Sequence, residues 1–92
     1  MANGNRILTG EEIELRDELS PIPAYDLDKG DQIVGLVNGK VVAMMVLHTA
    51  SYGPAQFGVS AVAPGGIEHH LLVHPKEELV RAEGVLDLIK LA

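Results

Sequence analysis

The sequence predicts an α+β fold: an N-terminal helix, a four-stranded antiparallel sheet that curls towards a small barrel, and a C-terminal helix. Three observations predict it. Thr9 followed by Glu12 is a capping box at the head of an acidic segment. Asn38-Gly39 lies between two apolar runs, and a type I′ hairpin turn needs residues that accept positive φ at both positions. Val41 to Leu47 is apolar at every position, as a strand covered on both faces would be. At 92 residues, one domain spanning 1–92 is the natural division, with the polar residues 1–8 expected to be flexible.

The helix is expected to open at Thr9. Leu8 and Ile13 stand at N′ and N4, where they can staple its entry. Glu11 and Glu12 fall in the first turn, where the helix dipole favours acids, and Glu12 with Arg16 is an i,i+4 pair. Ile13, Leu15 and Leu19 are its apolar residues, so it should lie on a surface with Glu11, Glu14 and Glu18 in one outward stripe. Ser20-Pro21-Ile22-Pro23 ends it. Residues 26–31 read as a turn. The strands follow as Gln32–Val37, Lys40–Thr49, Phe57–Ala63 and Ile67–His74, with loops at 51–55 and at Pro64-Gly65-Gly66. In the last strand Glu68, His70, Leu72 and His74 share one face, and Ile67, His69, Leu71 and Val73 the other. Pro75-Lys76-Glu77-Glu78 can start a helix, with Leu79, Ala82, Leu86 and Ile89 at helical spacing. The rival reading ends that helix near Glu83, before Gly84, and runs Val85 to Leu91 as a strand. The doubly apolar strand calls for a second cover: helices, barrel closure or another copy of the chain.

Composition excludes several functions. Cysteine is absent, so disulfides, thiolate metal sites and cysteine nucleophiles are excluded. Aromatic content is 3%, leaving Val, Leu, Ile, Ala and Met to build the core. The longest apolar run is too short to span a bilayer, and the expected setting is the cytoplasm, or that of a host cell for a viral protein. The net charge is −6, which disfavours direct contact with a phosphate backbone and favours a basic protein surface. Residues 1–31 hold eight acids against three bases, whereas residues 32–67 carry Lys40 as their one charged side chain. Much of that acidity would serve only as a solvated face.

Few constellations suggest chemistry. No phosphate-loop motif occurs, and neither Ser20, Ser51 nor Ser60 sits in a nucleophile elbow. Ser51 and His48 flank one strand end and could pair. Glu68 and His70 point the same way at i,i+2, and with His48 from another strand could ligate a metal; the plainer alternative is exposed strand histidines. His70 and His74 lie about 13 Å apart along a strand, too far to share one ion. No cofactor is expected.

Two resemblances accompany these readings. Pro64-Gly65-Gly66 through His74-Pro75-Lys76-Glu77-Glu78-Leu79 to Gly84 resembles the first motif of the cupin family. That resemblance implies a β-barrel metalloprotein with His74 and Glu77 or Glu78 as ligands. Leu72 stands where the family places its first histidine, so the ligand set is not carried over. Residues 25–83 resemble in layout an SH3-like barrel of the KOW kind: a turn at Gly30-Asp31, a hairpin, two more strands, then a helical turn near Lys76 to Leu79. Such domains dock nucleic acid or protein.

The function expected is that of a small acidic, non-catalytic binding protein. It would act through Glu11, Glu14, Asp17 and Glu18, or through Asp26, Asp28 and Asp31, on a partner with a basic surface. A viral or plasmid inhibitor of a nucleic-acid enzyme is one version. The alternatives are a self-assembling structural subunit, and a metal or small-ligand binder using His48, Glu68 and His70.

Overall fold

The computed structural model describes residues 4–14 and 16–91, with Arg16 described by its backbone alone. Leu15 and the Arg16 end of the expected pair with Glu12 therefore lie outside the described side chains, as do residues 1–3 of the expected flexible segment. The strands, in chain order, are β1 (Arg6–Ile7), β2 (Pro21–Pro23), β3 (Gln32–Val37), β4 (Lys40–Gly53), β5 (Gln56–Val62), β6 (Glu68–Val73) and β7 (Glu78–Val80). One antiparallel sheet runs β1-β3-β4-β5-β6, and β1 and β6 approach each other so that it nearly closes into a barrel. A separate antiparallel pair joins β2 to β7.

The meander from β3 to β6 follows the hydrophobic pattern and its turns. Asn38 and Gly39 hold φ of 52° and 79° between β3 and β4, the conformation a type I′ hairpin requires. The expected loop at 51–55 is shorter: β4 continues to Gly53, and Pro54-Ala55 alone makes the turn into β5.

Most of the apolar strand is covered on both faces by the chain itself, although Met45 stays exposed. Side chains alternate across β3 and β4, as the pleat demands. Ile33, Met44 and Val42 face the barrel interior with Val46, Val59, Ala61 and Leu79. Val34, Leu36, Val41 and Ala43 face the other way, under Leu8, Ile13, Val80 and Ala82 and the half-buried Val85, Leu86 and Ile89. The terminal segments thus supply the second cover. They also close the outer edge of β3. Beyond the β1 pairing at Gly35 and Leu36, the Leu8 N–H donates to Val34 O at 3.0 Å and the Ala82 N–H to Gln32 O at 2.9 Å. A long apolar strand with an open edge would be a template for aggregation.

The α+β expectation is corrected: the fold is mostly β, and neither terminal α-helix forms among the described residues. At the N-terminus the capping box does form, with the Thr9 N–H donating to Glu12 Oε1 at 3.0 Å. It caps a single 3-10 turn, Gly10–Glu12, and Ile13 is already extended at φ −119°, ψ 129°. A second 3-10 turn spans Arg16–Glu18. Short helices in isolation are marginal, and this segment has few apolar residues with which to dock one. Ile13 is buried instead by bridging to Leu91, with the Glu14 N–H donating to Lys90 O at 2.8 Å. In the same region Ile7 and Leu8 are buried, and β1 pairs with β3.

At the C-terminus, both expectations give way. Pro75-Lys76 is a turn, and Glu78–Val80 is a strand rather than helix. Leu79 and Val80 are both fully buried, one in each core, which opposite faces of a strand allow. Gly84 takes φ 76° in the turn that follows, Leu86–Leu88 is one 3-10 turn, and Leu91 forms an isolated bridge with Ile13 rather than extending a strand. No helix of the described residues is long and apolar enough to cross a membrane.

Candidate functional site

The outer face of β4, β5 and β6 places polar side chains beside exposed apolar ones. β5 lies in the middle, so its register places partners on both sides. Ser60 stands opposite His48 on β4 and opposite His70 on β6. Gly58 stands opposite Ala50 and Leu72, and Val62 opposite Met45 and Glu68. The row His48–Ser60–His70 therefore crosses three adjacent strands.

A β-bulge is what puts His48 in that row. Val46 is fully buried and pairs with the buried Ala61, so strict alternation would turn His48 inward as well. The register shifts between Val46 and His48, and the extra residue, Leu47, re-phases the strand so that His48 is exposed. Ser51 belongs to the opposite face, three residues on, and pairs with Phe57, so the expected Ser51–His48 pair does not form.

Around this row lies a groove of about 330 Å³, lined by His48, Ala50, Tyr52, Gly58, Ser60, His70 and Leu72 among others. Tyr52 lies against the bare backbone of Gly58: a Cβ at Gly58 would come 2.7 Å from the Tyr52 ring. The ring is otherwise exposed, as is Leu72. Ser60 is the reverse, a polar residue buried to 6% exposure. Its Oγ lies 2.8 Å from His70 Nδ1. The hydroxyl donates when the ring proton is on Nε2 and accepts when it is on Nδ1. His70 Nε2 in turn lies 3.9 Å from Glu68 Oε2, beyond hydrogen-bond distance but within reach of an ion pair when the ring is charged. The arrangement is thus a buried hydroxyl bonded to an exposed imidazole beside a carboxylate.

His48, Glu68 and His70 do share this face, as the sequence reading requires. They do not gather round one point, because Ser60 and its strand separate the two histidines by two interstrand spacings, about 10 Å. Among the described residues no three histidine or carboxylate side chains could hold a metal ion. The cupin-like ligand set does not assemble either: His74 Nδ1 accepts the Lys76 N–H at 3.1 Å within an exposed turn. Ser60 is the residue that sequence reasoning passed over. A serine between Val59 and Ala61, seven residues before Ile67 and ten before His70 across a tight turn, was a usable signal.

The acidic candidates lie elsewhere. Glu11, Glu14, Asp17 and Glu18 are exposed, but on the two 3-10 turns and their connection rather than on one helical stripe. Asp26 and Asp28 are exposed, while Asp31 is half-buried and its Oδ2 accepts the Asp28 N–H at 2.8 Å. Glu12 is spent internally: Arg6 forks onto its Oε2 through Nε at 2.9 Å and Nη2 at 2.5 Å, tying β1 to the first turn. Partial burial pushes the Glu12 carboxyl up. The Thr9 N–H, the Arg6 hydrogen bond and the Arg6 charge outweigh it and hold the carboxyl below its ordinary value.

No family model, curated protein or solved structure matches the chain. The functional reading therefore rests on the geometry and charge described above.

Proposed function

We propose that this chain is a small non-catalytic binding protein that docks a basic surface of another protein through an acidic strap that presents Glu11, Glu14, Asp17 and Glu18. The observation that carries the reading is the way the strap is fixed. Ile13 is 4% exposed and anchored to the C-terminal segment, while Glu11 and Glu14 on either side of it are exposed. A backbone already anchored at Ile13 has less freedom to lose on binding, and opposite charges on a partner speed encounter and set register. The Asp26–Asp31 loop adds two further exposed carboxylates, those of Asp26 and Asp28. A viral or plasmid inhibitor seated on the basic groove of a nucleic-acid enzyme is one instance of this class.

The test is a pull-down with the intact chain from cells of its source, repeated with Glu11, Glu14 and Glu18 all changed to lysine. The expected result is a protein partner with a basic surface that is retained by the wild type, weakened by added salt and lost by the triple variant. Retention by a folded triple variant overturns the reading.

A second reading has one observation in its favour. Met45, Tyr52 and Leu72 are large, exposed and on the same outer sheet face, where a second copy could bury them. Sedimentation at several concentrations distinguishes it, since a monomer throughout removes self-assembly. Within the apolar run Val41–Leu47, only Met45 adds to this reading, because Met44 and Val46 are buried by the chain itself.

A further inference from the structure

We propose that Ser60 is a nucleophile with His70 as its general base, and that it accepts an acyl group from small activated esters entering the groove on β4–β6. This site is separate from the acidic strap and does not rest on the binding reading; the step ends at one acyl group per chain, without turnover, so it does not make the chain an enzyme. Three features meet at Ser60. It is 6% exposed and lines the groove. Its Oγ is 2.8 Å from His70 Nδ1, the distance a base needs to take its proton. The exposed Tyr52 and Leu72 give the same groove an apolar wall for an aryl leaving group.

The step balances without a co-reactant. Ser60 Oγ attacks the ester carbonyl carbon and forms a C–O bond, while its proton passes to His70 Nδ1. The tetrahedral intermediate collapses, and the bond to the leaving oxygen breaks with its electron pair on that oxygen. The leaving group takes the proton back from the imidazolium, giving acyl-Ser60 and a free alcohol or phenol. Glu68 Oε2, 3.9 Å from Nε2, opposes the positive charge while it lasts. The two ring nitrogens are used the other way round from the Ser-His-Asp triads, where Nε2 faces the serine; each can accept a proton. His48 is beside Ser60 in register and lines the same groove.

The experiment incubates the intact chain with p-nitrophenyl acetate and locates the acetyl group by peptide mapping, with a fluorophosphonate probe as a second label. The expected result is acetylation at Ser60 ahead of the exposed lysines, and fluorophosphonate on the same residue. His70→Gln slows acetylation of Ser60 by about 100-fold or more, the usual contribution of a positioned base. Glu68→Gln slows it by no more than about fivefold, because an exposed charge pair is weak. Circular dichroism confirms that each variant is folded. Lysine acetylation with Ser60 untouched in the wild type overturns the proposal, even if no variant folds. So does a folded His70→Gln variant that acetylates Ser60 at the wild-type rate.

Discussion

Replacing Gly35 with alanine tests how tightly the barrel interior is packed. Gly35 sits mid-way along β3, paired with Ile7 on one side and Val42 on the other, so its backbone is held by both neighbours. A Cβ there would come 2.8 Å from Met44 Cγ and closer still to Sδ and Cε. Carbon atoms pack best at roughly 3.5–4.0 Å, so the methyl and the methionine cannot both stay. Met44 is fully buried, so its adaptable side chain has to move within a packed interior to make room. Overpacking of this kind costs about 1–3 kcal/mol. For a domain of this size each kcal/mol lowers Tm by about 4–8 °C. Urea denaturation followed by circular dichroism should show a lower midpoint with an unchanged slope. Met44→Ala alone should cost about 2–5 kcal/mol. The double variant should cost less than the sum by about 1 kcal/mol or more, since each change makes room for the other. A Gly35→Ala variant within about 0.5 kcal/mol of wild type, or a strictly additive cycle, would refute the packing described.

Two further predictions concern stability. Glu12 is held below its ordinary carboxyl pKa in the fold, so the folded state binds that proton less readily than the unfolded chain. Its stabilisation is therefore complete above the ordinary carboxylate value and is lost as pH falls from there through the lowered folded value. Glu12→Gln should remove this acid-side component while costing no more than about 1 kcal/mol at neutral pH, as expected for a partly exposed pair; denaturation curves at neutral and acid pH check both points. Leu79→Ala should destabilise by about 2–5 kcal/mol, because Leu79 is fully buried and joins the β2–β7 pair to the barrel interior. Thermal unfolding measures it, and a cost below about 1 kcal/mol would mean that β7 is not part of the cooperative core.

Several parts of the molecule are legible in the sequence alone. The hairpin at Asn38-Gly39 was readable because few dipeptides accept positive φ twice, and β3 begins and ends where the pattern places it. Glu12 was readable as a capping partner of Thr9. That His70 and Glu68 point the same way follows from the period of a strand. The clustering of acids within residues 1–31 is likewise a property of the sequence alone.

Other features depended on contacts between residues far apart in the chain. Thr9 can cap a turn, but whether the turn grows into a helix depends on what Ile13 can reach, and it reaches Leu91. Leu79 and Val80 look like part of a helical stripe until two separate cores exist to receive them. His48 faces its groove only because of the bulge at Leu47, and Ser60 acquires its partner only when β5 and β6 pair in register. By itself the sequence determined turns, strand periodicity and charge placement, because these depend on neighbours along the chain. The tertiary structure decided helix against strand at both termini and the company Ser60 keeps, because there the free energy comes from burial and pairing across long sequence separations.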